Sequence, residues 1–162
     1  MTDGFSPTST SNSKWIKASP AVLYRAFTDP AALERWFAPG DMSGKVSGFD
    51  GRVGGGYVMT LSYTSTEHPV RGKTAEHEDR YTARFVELHP PDKIVEAILF
   101  AASDPAFAGE MMMEVTIEPE NGGSVVSISF SNIPPGIRPE DNEAGTRQTL
   151  ENLARYVERA AD

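Results

Sequence analysis

Residues 111–160 read MMMEVTIEPENGGSVVSISFSNIPPGIRPEDNEAGTRQTLENLARYVERA, and two periods follow one another within them. Met111, Met113, Val115 and Ile117 alternate with Met112, Glu114, Thr116 and Glu118, the period of two that marks a strand with one buried face. Asn121-Gly122-Gly123 then offers the left-handed conformations a tight hairpin needs, and Val126, Ile128 and Phe130 complete a returning strand. Pro134-Pro135-Gly136 stops the sheet and Pro139 opens a helix, whose apolar stripe is Leu150, Leu153, Ala154, Val157 and Ala160. Glu140, Asp141 and Glu143 suit the positive end of its macrodipole. At 1.5 Å per residue, about 23 residues reach roughly 34 Å, enough to cross a whole domain.

Upstream, Ser19-Pro20 is an N-cap followed by a proline pre-set for the first helical position, and Leu23, Ala26 and Phe27 form a short helical stripe. Asp29-Pro30 repeats that opening before Leu33, Trp36 and Phe37, and Pro39-Gly40 ends the second short helix. From Ser43 the period becomes two. Ser47 to Arg52 and Gly54-Gly55-Gly56 read as turn and bulge chemistry between strands. Tyr57, Met59, Leu61 and Tyr63 share one strand face; Tyr81, Ala83 and Phe85 share another until a bulge shifts the pattern to Val86 and Leu88. His89 to Asp92 is a turn, and Lys93 to Ala101 is a strand apolar on both faces. Strands segregated from helices predict an α+β fold: one curved antiparallel sheet of about six or seven strands wrapped around a long C-terminal helix, with two short helices after the first strand.

The chain has 162 residues, which argues for one domain, taken as residues 14–162. The Ser- and Thr-rich residues 1–13 read as a frayed end or an edge strand, and they lack the apolar run of a signal peptide. Fifteen Lys and Arg stand against 23 Asp and Glu, a net charge of −8, which opposes binding to nucleic acid or to an anionic membrane. No apolar run approaches a membrane span. The absence of cysteine removes disulfides and thiolate chemistry and fits a reducing cytoplasm, the compartment expected here.

The segments Ala18 to Pro30 with Leu33 and Trp36, Asp50-Gly51-Arg52-Val53-Gly54-Gly55, Pro90 to Val95, and Thr149 to Leu153 are similar, in order and spacing, to those of the START-like (SRPBCC, helix-grip) superfamily. More narrowly, the chain resembles the domains homologous to the activator of the Hsp90 ATPase, over about residues 16–157. The resemblance implies the helix-grip fold and a pocket between sheet and helix. Many members carry a Gly-Trp pair at the start of the long helix. This chain has Gly145-Thr146, so that end of the pocket is expected to be roomier and more polar.

Gly54-Gly55-Gly56 precedes a strand, not a helix, so it reads as a bend and not as a phosphate loop. The histidines, His68, His77 and His89, have no metal-ligand spacing, and no nucleophile elbow occurs. No metal or cofactor is expected. Glu76, Glu78, Asp79, Glu140, Asp141 and Glu143 read as surface carboxylates; Glu96, between Ile94 and Ile98, falls on a core face and is a candidate polar anchor or buried acid. The expected ligand-binding set is Trp36, Met59, Tyr63, Tyr81, Phe85, Glu96, Phe100, Met113, Thr146 and Leu150: adaptable apolar walls with a few orienting hydroxyls. The leading expectation is a protein that binds an apolar or amphipathic small molecule. Two alternatives stand beside it: an enzyme of the same fold, a polyketide cyclase or dehydratase using Glu96, and a module for a chaperone partner, which rests on the family resemblance alone. The two apolar faces of Lys93 to Ala101 point to a covered surface, as in a homodimer.

Overall fold

The computed structural model of the chain describes residues 9–38, 42–63, 78–101 and 104–160. His68, His77, Glu76 and the Pro39-Gly40 helix stop lie outside the described residues, as do residues 1–8.

Strand β1 (Thr10–Ile16) is followed by helices α1 (Pro20–Thr28) and α2 (Pro30–Trp36). The Ser19 side chain accepts from the Val22 N–H at 3.3 Å and the Asp29 carboxylate from the Ala31 N–H at 3.0 Å, each beside a proline at the first helical position. These caps satisfy donors that a helix start leaves unpaired. Trp36 joins the two helices. Its indole N–H donates to the Ala26 carbonyl at 3.0 Å, and its ring meets Phe27 edge-on at 4.9 Å.

Six further strands run as an antiparallel meander: β2 (Met42–Asp50), β3 (Gly56–Tyr63), β4 (Glu78–His89), β5 (Lys93–Phe100), β6 (Met111–Glu120) and β7 (Gly123–Ser131). The sheet order is β1-β7-β6-β5-β4-β3-β2, so β1 closes one edge against β7. At the β6–β7 hairpin Asn121 and Gly122 both have positive φ, 49° and 80°, which matches the twist of the flanking strands. Val115 pairs with Ile128 and Val126 with Ile117. The expected bulge in β4 falls between Phe85 and Glu87.

One stretch departs from expectation. Ser47 to Arg52 reads in the sequence as turn and bulge; the bulge is there as a register shift after Ser47, but Ser47 to Asp50 continues β2 instead of turning, and Asp50 pairs with Gly56. Tertiary contact holds it extended: the Phe49 ring stacks on Tyr57 at 5.8 Å and meets Phe85 edge-on at 5.9 Å. The connection is shorter than expected, and Gly56 is its critical point. Its φ is 155°, and a Cβ there would stand 1.9 Å from the Ala83 carbonyl oxygen.

The long helix α3 (Pro139–Ala160) crosses the concave face of the sheet. Leu150, Leu153, Ala154 and Val157 are buried with Ile16, Ile117, Val126 and Ile128 in one core. Asn152 donates to the Ala38 carbonyl at 2.9 Å and Thr149 to the Phe37 carbonyl at 3.3 Å, which fastens α3 to the end of α2. On the convex face, Val95 and Ala97 of β5 are buried while Leu99 is half exposed. Among the described residues no helix is long and apolar enough to cross a membrane.

Candidate functional site

Between the first half of α3 and the sheet lies a pocket of about 190 Å³. Strand parity supplies its floor. Asp79 and Tyr81 of β4, Ile98 and Phe100 of β5, Met111 and Met113 of β6, and Ile128 and Phe130 of β7 all project to the side that faces α3. Helix α3 supplies the roof through Asn142, Gly145, Thr146 and Thr149, and exposed Asp141 marks where the pocket meets solvent. Phe37, Leu61 and Ile137 complete the lining.

The roof stays high because its residues are small. A Cβ placed on Gly145 would meet nothing within 4 Å. Thr146 turns its hydroxyl back along the helix to the Asn142 carbonyl at 2.7 Å, leaving its methyl toward its neighbours. Thr149 uses its hydroxyl on Phe37, and Asn142 accepts from the Thr10 hydroxyl at 2.7 Å.

Of the ligand-binding set expected from sequence, Tyr81, Phe100, Met113 and Thr146 meet in this lining. Trp36, Met59, Phe85, Glu96 and Leu150 are buried but stand outside it. Trp36 is committed to α1, and Phe85 packs with Phe49 and Tyr57 farther along the sheet. The side chain of Tyr63 lies outside the described residues, although its backbone pairs with Met42.

Glu96 forms a separate polar centre next to the pocket. It is 1% exposed, pairs across the sheet with Phe85 and Met113, and accepts a hydrogen bond from the Tyr57 hydroxyl at 3.0 Å. Burial pushes its carboxyl up from 4.5 to about 7, against the opposing pull of the Tyr57 hydrogen bond. Burial, and then the charge of Glu96, push both Tyr57 and Tyr81 above the usual phenol value, so both remain hydroxyls at neutral pH. The Tyr81 hydroxyl is fully enclosed at the same polar centre, near the Tyr57 hydroxyl and the Glu96 carboxyl and short of a well-formed hydrogen bond with either.

Asp79 corrects the sequence reading. Taken there as a surface carboxylate, it lies in β4, is 1% exposed and lines the pocket. The signal was present: Asp79, Tyr81, Ala83 and Phe85 alternate on one face, and the strand begins at Glu78, ahead of the apolar pattern that opens at Tyr81. His89 is a surface residue within 3.0 Å of Glu87. Among the described residues no group of three or more His, Asp or Glu is placed to hold a metal.

The family model described as Activator of Hsp90 ATPase homolog 1-like protein matches residues 17–158. A crystal structure of a Chromobacterium violaceum protein is 31% identical, covering 93% of this chain and 96% of that one, with a TM-score of 0.82. An Arthrobacter aurescens protein is 18% identical over 93% of this chain and 86% of its own, with a TM-score of 0.77. The AHSA1-like protein from Aeromonas hydrophila is 21% identical, covers 95% and 94%, and scores 0.72. Among curated proteins none matches significantly.

Proposed function

The chain belongs to the activator of Hsp90 ATPase homolog 1-like family, and from that premise we propose that it binds a small apolar or amphipathic molecule between α3 and the sheet. The observation that carries this reading is the 190 Å³ pocket, walled by Phe37, Phe100, Met111, Met113 and Phe130 and roofed by Gly145 and Thr146. Native interiors otherwise pack to the density of organic crystals, and apolar space of this size is filled favourably by a guest. Burial of the guest's apolar surface drives binding at about 25 cal/mol per Å² before ordering costs. Methionine walls adapt to the shape of the guest.

The buried acid needed by an enzyme of this fold would be Glu96. It is not part of the lining, so binding is favoured over catalysis at this pocket. The test is Thr146→Trp, which places an indole into the space beneath the roof. Filling a void adds dispersion contacts, whereas forcing an indole into packed core costs about 1–3 kcal/mol. In thermal melts with and without a panel of apolar ligands, the variant is expected to melt no lower than wild type and to lose the ligand-induced rise. A variant that melts several degrees lower, beside a wild type that no ligand stabilises, overturns the reading.

A further inference from the structure

We infer that the pocket takes a single-tailed amphipath, tail first, with its polar head held at the mouth beside Asp141, and that Gly145 keeps the way in open. This rests on the pocket being a ligand site, and it adds the class of ligand, its direction and its point of entry.

The floor is graded along the strands. Asp79 is the second residue of β4, Phe100 the last of β5, Met111 the first of β6, and Phe130 the last but one of β7, so these four form an outer row at the strand ends. Two residues farther in along each strand stand Tyr81, Ile98, Met113 and Ile128, an inner row on the same face. The first turn of α3 lies over the outer row, because Asn142 accepts from Thr10 and Thr10 pairs with Phe130. The carboxylates of the described lining, Asp79 and Asp141, therefore both belong to the outer end. The inner row offers apolar surface, since the Tyr81 hydroxyl is enclosed with Tyr57 and Glu96 instead of facing the pocket. Next along β4 and β6 come Ala83 and Val115, at most 1% exposed and part of the packed core, so the slot is blind. A single blind slot holds a single tail. A strongly hydrated head cannot follow it, because the inner row would leave the head without hydrogen bonds.

Gly145 stands one helical turn after exposed Asp141, on the same face of α3, and is half-buried. Inside a helix only proline is less favourable than glycine, and a neighbour packed too close for a side chain is one common reason to find it there. No such neighbour exists here: nothing lies within 4 Å of where its Cβ would be. The glycine leaves space between the mouth and the inner row, which is what an entering tail needs. Because the mouth is open to solvent, the pocket limits the buried length of the guest and not its whole size.

Isothermal titration with hexyl, heptyl and octyl glucoside, each below its micelle concentration, tests this. Wild type is expected to gain roughly fourfold in affinity per added methylene, the increment of one buried CH₂. Octanol should bind far more tightly than the octanediol with a hydroxyl at each end, one of which would be driven into the inner row. Gly145→Leu should weaken every glucoside about tenfold or more, the equivalent of about two displaced methylenes. That variant should melt no lower than wild type, because leucine favours the helix and enters open space. Equal affinity across the glucosides, octanediol binding as tightly as octanol, or Gly145→Leu binding like wild type each overturns the inference, and the first two comparisons need no variant. N-phenylnaphthylamine, an apolar fluorescent probe without a tail, reports on the pocket itself. If it binds and the glucosides do not, the pocket stands and this inference falls. If none of these compounds binds, the pocket reading falls, and this inference with it.

Discussion

Glu96→Gln should remove part of the pH dependence of stability, and the structure sets both the sign and the size. The Glu96 carboxyl is fully enclosed, and burial moves it from 4.5 to about 7. Between those values the folded protein holds a proton that the unfolded chain has released. Stability therefore falls as pH rises through that window: the contribution is fully present below pH 4.5 and lost above about pH 7. Moving the carboxyl from 4.5 to about 7 amounts to about 3 kcal/mol. Glutamine keeps the shape and an acceptor for the Tyr57 hydroxyl but carries no proton to lose. The assay is urea unfolding of wild type and Glu96→Gln from pH 5 to pH 8.5. The two should be close at pH 5, and the variant should exceed wild type by about 2–3 kcal/mol at pH 8.5. Taking the difference between the two proteins removes the opposite contributions of Asp50, Glu87 and Glu140, whose carboxyls are held below their ordinary values by neighbouring hydrogen bonds and charges. A difference that stays flat across this range, or grows in favour of wild type with pH, would refute the account of Glu96 as a desolvated acid.

Two further substitutions test the frame that holds the site. Leu153→Ala removes a fully buried side chain from the face of α3 that meets the sheet, and should cost about 2–5 kcal/mol in chemical denaturation; a loss near zero would mean the helix face is misplaced. Gly56→Ala puts a methyl 1.9 Å from the Ala83 carbonyl oxygen at a φ of 155°, so β3 and β4 must separate locally. A destabilisation of at least about 2 kcal/mol is expected in the same assay, and a neutral result would contradict the close approach of the two strands.

Much of the frame was legible locally because its causes are local. Ser19-Pro20 and Asp29-Pro30 start helices because the capping side chain and the proline act within one turn. Asn121-Gly122 makes a hairpin because of its own backbone preferences. The inward facing of Tyr81, Met113 and Glu96 followed from a period of two, which is a property of any extended chain. The family pattern, carried by those same segments, then named the fold.

What sequence could not separate was a buried residue that lines space from one that fills it. Trp36 and Phe85 show the same apolar parity as Phe100 and Met113, yet the first is tied to α1 and the second packs on Phe49 and Tyr57. Hydrophobic burial is non-directional, so the pattern says which face turns inward and not what stands opposite it. That depends on where α3 crosses the sheet, which long-range contacts such as Asn152 to Ala38 and Thr149 to Phe37 determine. Asp79 and Phe49 were misjudged for the same reason: each is held in a strand by partners distant in the chain or across the sheet, while its own neighbours in sequence resemble a loop. The sequence by itself determined the order of elements and the inward face of each strand, since both arise from interactions spanning a few residues. Only the tertiary structure decided that Tyr81 borders open space while Glu96, on the next strand, is sealed against Tyr57, because that depends on how far the small residues of α3 hold the helix from the sheet.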